Sequence, residues 1–202
     1  MVEKTRPRGR PRAYDPAVAL DSAAELFWRK GFADTSLDDL SSSMGMGRPS
    51  IYNAFGDKEA LFLHTLVRFR DTIASSPLRA MDGEDSIGDA LDALLRTAVE
   101  YTTADRSHLG CLLGSVAPAT ELPEVRDFLS ANLAETEAQI ADRLSAAVRS
   151  GQLPADHSAE RGARRAVNAM LAIAARARLG TSREELLADA ADATSAVLGS
   201  QV

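Results

Sequence analysis

The chain has 202 residues, of which 45% are hydrophobic and 26% are charged, and its net charge is -6. This balance is typical of a soluble globular protein, and no apolar run approaches the roughly 18 residues of a membrane-spanning helix. The first residues lack the apolar segment of a secretory signal. A single cysteine, Cys111, excludes an intramolecular disulfide and a cysteine-based zinc site. We therefore expect a cytoplasmic protein with no metal and no other cofactor.

Residues 1–12 form a basic arm on an otherwise acidic chain. Five basic side chains and one acidic side chain give the arm a charge of +4, which leaves -10 for the rest of the total of -6. A basic end on an acidic body directs DNA to that end only. A solvated tail without DNA contacts is the alternative interpretation.

Helix-forming residues dominate the chain and alternating β patterns are nearly absent, so we predict an all-α protein with about nine helices. The predicted helices of the first third are Pro16–Lys30, Leu37–Met44, Arg48–Phe55 and a long uninterrupted helix from Asp57 to Ser75. Residues 78–85 are predicted to be a loop and residues 108–117 a short apolar segment. Further helices are predicted for Ser86–Thr103, Glu124–Ser150, Ser158–Leu179 and a last one from Ser182 to about Leu198.

Two short helices separated by Gly45-Met46-Gly47 lie within residues 35–61. This pattern is typical of a helix-turn-helix, whose second helix enters the major groove of DNA. At about 100° per residue, Ile51 and Phe55 share the face that should pack on a core, and the opposite face points to solvent or DNA. An ordinary helical hairpin with a polar outer face is the alternative.

The same region resembles a known family. The matching residues, at the family's spacings, are Gly45, Tyr52, Phe55, Lys58 and Leu61, with Phe32, Thr35 and Leu40 upstream and Gly9-Arg10-Pro11 in the arm. On these residues the chain is similar to the TetR family of transcriptional regulators over residues 9–62. It departs from the family at Gly47, where many members have Ser or Thr, and at Ala54, where many have an aromatic residue or His.

The resemblance implies a basic arm at 1–12, a three-helix helix-turn-helix head at 13–60 and a larger helical domain at 61–202 for ligand binding and dimerisation. It further implies a repressor that a small-molecule inducer releases from double-stranded operator DNA. A transcriptional activator of the same fold is the runner-up. A helical scaffold without DNA affinity is the remaining alternative, and no catalytic cluster points to an enzyme.

The resemblance also implies the DNA contacts. Thr35, Tyr52 and Lys58 are expected to contact phosphate, and Ser36 lies beside them at the start of the second helix. The candidates for base edges are Arg48, Pro49, Ser50 and Asn53, since Arg pairs well with guanine and Asn with adenine. Arg10 lies in RPRGRPR, which resembles an AT-hook and suits a narrow A·T-rich minor groove. Non-specific phosphate contact is the alternative for the arm.

A ligand cavity is implied in the middle of the chain. Its candidate lining residues are Leu66, Phe69, Tyr101, Cys111, Leu112, Phe128 and Met170. Simple core packing is the alternative for each of them. Cys111 lies in a Gly-Cys-Leu-Leu segment, and a buried cysteine usually behaves as a small hydrophobe. A thiol that senses oxidants or electrophiles is the alternative function for this residue.

The last two helices are expected to form a homodimer. Residues 166–175 read AVNAMLAIAA, which is apolar on almost every side, and such a helix must be buried all round. Leu186, Leu187 and the alanines that follow give the last helix a wide apolar face. Two such helices from each of two subunits would form a four-helix interface. A purely internal core is the alternative.

Overall fold

The computed structural model describes residues 14–104 and 110–199, and these residues form helices and turns without a strand. The nine α-helices of the described residues are α1 (Pro16–Lys30), α2 (Leu37–Met44), α3 (Arg48–Phe55), α4 (Lys58–Phe69), α5 (Ser76–Asp82), α6 (Ile87–Thr102), α7 (Pro123–Arg149), α8 (Ala159–Arg178) and α9 (Arg183–Leu198). The predicted all-α fold is thereby confirmed. Arg10 and the rest of the basic arm lie outside the described residues, as do the first two residues of the predicted apolar segment 108–117.

Helix starts follow from side-chain caps. Asp15 accepts a hydrogen bond from the amide of Ala17 at 2.8 Å and so begins α1, with Pro16 in its first turn. A capping box joins Ser36 and Asp39 at α2, and a second one joins Ser182 and Glu185 at α9. Each box satisfies amide groups that have no partner within the helix, and this explains why these starts were readable from the sequence.

The fourth predicted helix, Asp57 to Ser75, is wrong after Phe69. The α geometry stops at Phe69, and Arg70–Ala74 form a π-turn in which the amide of Ser75 donates to the carbonyl of Arg70 at 3.0 Å. Next follows α5, over residues predicted in part as a loop. Pro77 cannot continue α4, but it suits the first turn of a new helix, where no amide donor is required.

Two hydrophobic cores organise the structure. The head core joins buried residues of α1 to α4 with the segment Cys111–Ala117 and with Val125 and Ala174. The body core joins buried residues of α5 to α9. A π-turn at Leu112–Val116 and a 3₁₀ turn at Ala117–Ala119 shape the segment between α6 and α7. No helix in the described parts of the chain is long and apolar enough to span a membrane.

Candidate nucleic-acid interface and ligand cavity

The turn between α2 and α3 is closed by the backbone. Gly45 has φ of 62°, a left-handed conformation that glycine adopts without steric cost. The amide of Met46 donates to the carbonyl of Ser41 at 3.1 Å, and the hydroxyl of Ser41 donates to the carbonyl of Met46 at 2.5 Å. The buried side chain of Met46 then anchors the turn in the head core. These contacts fix the direction in which α3 leaves the turn.

The faces of α3 are those predicted from its periodicity. Ile51 and Phe55 are buried, whereas the predicted base-edge residues and the phosphate candidate are exposed: Arg48, Pro49, Ser50, Tyr52 and Asn53. The aromatic ring of Tyr52 belongs to a side chain that is 50% exposed, which is unusual for so large a group. At the N-cap position Gly47 offers no side-chain cap. Pro49 has no amide hydrogen, and the amide of Ser50 donates to the carbonyl of Gly47 at 2.9 Å.

Thr35 has a different place from the one expected. Its residue is only 1% exposed, and its hydroxyl donates to the carbonyl of Gly31 at 2.6 Å. The expected side-chain contact between Thr35 and phosphate is therefore corrected to a packing role, because the hydroxyl closes the loop between α1 and α2 from inside. Ser36 does lie on the surface, although its hydroxyl is bonded to the carboxylate of Asp39 at 2.8 Å.

Lys58 lies at the start of α4 on the same head. Its ammonium sits 4.3 Å from the centre of the Phe32 ring, a cation–π distance. Partial burial lowers the pKa of Lys58, and the negative charge of Asp34 acts in the opposite direction. Asp57 serves as the N-cap by accepting from the amide of Ala60 at 2.9 Å. Phe32, rather than a neighbouring carboxylate, thus holds this lysine at the helix end, where a cation is otherwise unfavourable.

A cavity of about 940 Å³ lies where the head meets α5, α7 and α8. Three of the predicted lining residues border it: Tyr101, Cys111 and Met170. The other four are corrected. Leu66, Phe69 and Leu112 are buried in the head core, and Phe128 packs against that core with the Arg70 guanidinium 5.4 Å from its ring. Apolar periodicity cannot separate these positions, because a core and a cavity wall draw on the same residue types.

The sequence reasoning missed the polar part of the wall. Arg70, Asp71 and Ala74 of the first π-turn border the cavity, and α7 adds charged and polar residues that include Arg126, Glu135, Thr136 and Gln139. A widened helical turn is often found at functional sites. The only sequence signal was the many polar residues on α7, which a search for apolar lining residues passes over.

Tyr101 and Cys111 form the polar spot on the inner wall. Burial raises the pKa of the Tyr101 hydroxyl and that of the Cys111 thiol. Hydrogen bonding with Tyr101 and with the amides of Gly114 and Leu113 lowers the thiol pKa by less than burial raises it. The amide of Cys111 donates to the hydroxyl of Ser115 at 3.0 Å. The thiol is therefore protonated at neutral pH, and the pair offers neutral hydrogen-bonding groups to the cavity.

Cavity and head share a wall. Cys111 and Leu113 border the cavity, while Leu112 and Val116 from the same segment are buried in the head core. Gly110, which precedes the segment, has φ of 90° and leaves no room for a side chain, since a β-carbon there would lie 2.9 Å from the carbonyl oxygen of Ala174. The Cys111–Ala117 segment therefore contacts both the cavity and the core of the head.

The surface of α8 and α9 is partly apolar. Residues 166–175 were predicted to be buried on every side. Ala166, Val167, Ile173 and Ala174 are buried, but one stripe of this helix is exposed in the single chain. The exposed apolar residues of the two helices are Leu171, Ala172, Ala175, Ala188, Ala191 and Ala196. Leu187 packs against the body core instead. Small exposed residues on adjacent helices form a flat surface that permits close helix packing.

Both halves of the chain match known protein families. Residues 19–65 match the family described as bacterial regulatory proteins, tetR family, and residues 88–193 match the family described as tetracyclin repressor-like, C-terminal domain. The transcriptional repressor BdcR of Escherichia coli is 28% identical over 200 residues, which cover 98% of this chain and 97% of BdcR.

Two further relatives agree with these matches. The repressor ComR of Escherichia coli is 35% identical over 107 residues, and this match spans only about half of each protein, 52% of this chain and 51% of ComR. A solved structure of the TetR family regulator CifR, a cysteine mutant bound to 26-base-pair operator DNA, has 34% identity and a TM-score of 0.85 over 93% of this chain and 99% of CifR. From its helix-turn-helix head to its helical C-terminal domain, this chain belongs to the TetR family of bacterial transcriptional regulators.

Proposed function

We propose that this regulator is a repressor that binds operator DNA as a homodimer and is released when a small molecule occupies the cavity. The observation that carries the proposal is that one segment, Cys111–Ala117, contacts both the cavity and the head. Cys111 and Leu113 border the cavity, while Leu112 lies in the head core. The repressor names of BdcR and ComR and the operator complex of CifR support it. In this proposal the chain acts in the cytoplasm and performs no enzymatic reaction.

We propose one function for each of three parts of the chain. The arm at 1–12 enters a minor groove through Arg10, the head at 13–60 reads the major groove, and residues 61–202 bind ligand and form the dimer. Base contacts are assigned to Arg48, Pro49, Ser50 and Asn53. Phosphate contacts are assigned to Ser36, Tyr52 and Lys58.

The proposed dimer uses the exposed apolar stripe on α8 and α9. A two-fold axis would place the same stripe of each subunit against its partner, and this is the commonest arrangement for a homodimer. Leu171 and Ala175 would lie near the centre of such a four-helix interface. Two heads related by that axis would then reach half-sites of an inverted repeat.

The cavity indicates the class of inducer. Its lining includes the apolar side chains of Leu113 and Met170, the neutral hydroxyl of Tyr101, and the cations of Arg70 and Arg126 together with carboxylates. Such a lining suits a small molecule with an apolar body and a few hydrogen-bonding groups. Binding would move the Cys111–Ala117 segment and the π-turn at Arg70–Ala74, both of which connect the cavity to the head.

The alternative of a thiol-based regulator is supported less well. A sensing cysteine reacts as a thiolate, and reactive cysteines combine a lowered pKa with solvent access. Burial raises the pKa of Cys111, and its residue is only 5% exposed. These properties fit a cavity-wall residue better than a reactive one, and so we place ligand binding first.

The decisive test begins with operator DNA, sought in fragments beside the gene by fluorescence anisotropy. Small molecules that raise the thermal unfolding midpoint would then be added to the protein–operator complex. We expect at least one of them to release DNA, and operator must weaken binding of that molecule by the same factor. A set of cavity ligands that all leave operator affinity unchanged would contradict the proposed release mechanism.

A further inference from the structure

Two adjacent acids begin α2, and only one of them caps the helix. Asp39 accepts from the amide of Ser36 at 3.0 Å and pairs with Lys30 at 3.0 Å. These contacts lower the pKa of Asp39 to about 2, with the Ser36 amide as the largest cause. Asp38 belongs to no such box. It extends across the turn to α3, where Nε of Arg48 donates to its Oδ1 at 2.8 Å and Nη2 of Arg48 pairs with its Oδ2.

This pair lies on the surface assigned to DNA. The Asp38 side chain is 73% exposed and that of Arg48 is 53% exposed, so the ion pair contributes little to folding stability. The pairing with Asp38 raises the pKa of Arg48 through the hydrogen bond, which keeps the guanidinium charged at every relevant pH. Arg48 is also the first residue of the candidate recognition helix. The ion pair therefore affects how Arg48 contacts bases more than it affects folding stability.

We infer that Asp38 is a positioning residue that sets the base specificity of Arg48, an inference that rests on the proposed function. The carboxylate holds one edge of the guanidinium, formed by Nε and Nη2. A guanidinium has five donors in a planar fork, so the edge formed by Nη1 and the second Nη2 hydrogen stays free. That free edge matches the N7 and O6 acceptors of a guanine in the major groove.

The charge of Asp38 gives the pair a second effect. An unpaired Arg48 has a long flexible side chain that can bind any nearby phosphate, and such a contact carries no sequence information. Paired with Asp38, it forms a neutral unit, and the carboxylate disfavours approach to phosphate. The pair therefore lowers the affinity for DNA of any sequence and raises the preference for one base pair.

The test uses Asp38→Asn, which keeps the size of the side chain and removes its charge. We expect the preference for one G·C pair of the operator to fall on the order of tenfold, the range of a bidentate arginine–guanine contact. Binding to random duplex DNA should tighten. Its dependence on salt should steepen by about one phosphate, a slope change near -0.9, because the released Arg48 contacts the backbone.

Asp34→Asn is the matched control. It removes one exposed carboxylate from the same head, near Lys58, without touching Arg48. We expect it to change affinity for all sequences alike. In an Arg48→Ala background, Asp38→Asn should cause no further change in base preference, because the group it positions is absent. Unfolding midpoints of all variants show whether the head remains folded.

Three outcomes overturn the inference. Equal losses on operator and random DNA indicate a structural role, equal gains indicate that Asp38 only restrains Arg48, and unchanged preference at every base pair excludes positioning. The proposed function is tested separately by the unmutated protein in the same assay. If that protein does not distinguish operator from random DNA, the function itself fails, whereas specific binding by Asp38→Asn with unchanged preference at every base pair overturns only the role of Asp38.

Discussion

The head core and the body core differ in the types of side chain that they contain. Five aromatic side chains are buried in the head core, namely Phe27, Trp28, Phe55, Phe62 and Phe69, whereas the body core is made of aliphatic residues and alanine. The rings interlock, as shown by Phe27 and Phe62 with centroids 4.7 Å apart in an edge-to-face arrangement. Aromatic contacts of this kind fix a small core in one geometry. The aromatic core therefore supports the α3 surface of the head, and the cavity lies where this core meets the aliphatic body.

The largest effects on stability are expected when one buried residue of each core is truncated, and these variants test the contrast between the two cores. Phe62→Ala should lower the free energy of unfolding by about 3–5 kcal/mol, and Leu94→Ala by about 2–5 kcal/mol. Both residues are fully buried, but only Phe62 supports the head. We expect DNA binding to be lost in Phe62→Ala and kept in Leu94→Ala at temperatures where each variant is folded. Chemical denaturation and anisotropy measure both quantities, and equal loss of DNA binding would remove the distinction.

The dimer interface provides the next test, on the body side. Leu171→Asp should produce monomers, because an unpaired charge in an apolar interface costs several kcal/mol. Leu133→Asp is the matched control, since Leu133 and Leu171 are both 39% exposed and both border the cavity. Sedimentation velocity should show a dimer for the control only. A dimer that persists in Leu171→Asp would place the interface away from α8.

Gly110→Ala tests whether the Cys111–Ala117 segment connects the cavity to the head. Its φ of 90° is unfavourable for alanine, and its β-carbon would lie 2.7 Å from the Ser115 hydroxyl oxygen. We expect a loss of about 2–3 kcal/mol in unfolding free energy from backbone strain and crowding together. The control Gly151→Ala has a similar φ of 78° with open space around it and should lose only about 1 kcal/mol. Operator affinity should fall in Gly110→Ala alone, and unchanged affinity would disconnect the segment from the head.

A smaller effect is expected at Lys58. Lys58→Ala should weaken binding to all DNA sequences alike and flatten the slope of log affinity against log salt by about 0.9, the value for one phosphate. Arg96→Ala is the control, because Arg96 pairs with Asp92 on α6 of the body. It should leave the slope unchanged. An unaltered slope in Lys58→Ala would mean that the lysine serves Phe32 packing and not DNA.

The smallest effect concerns the thiol. Because the folded state raises the pKa of Cys111, less of it is thiolate at a given pH than in the unfolded chain. Labelling by a maleimide should therefore be slower in the native protein than in the denatured protein and should speed up as pH rises toward and above the ordinary thiol pKa. Cavity ligands should slow it further. Rapid labelling of the native protein at neutral pH would favour the thiol-based alternative.

The sequence predicted helix bounds better than tertiary contacts for a physical reason. Caps such as Asp15, the Ser36–Asp39 box and the Ser182–Glu185 box are local signals, and the starts of α1, α2 and α9 follow from them directly. The π-turn at Arg70–Ala74 had no such local pattern in the sequence. For the same reason Leu66 and Leu112 could not be separated from true cavity residues such as Met170. The buried position of Thr35 likewise depends on the loop fold around Gly31.

The central claim is that a homodimer of this head reads a specific operator, and selection from a random duplex pool tests it most directly. The purified protein should enrich an inverted repeat whose half-site centres are about 34–36 Å apart or a multiple of that distance. Affinity for the enriched duplex should exceed that for random duplex by roughly a thousandfold or more at physiological salt. Recovery of no common sequence, with equal affinity for all duplexes, would contradict the account.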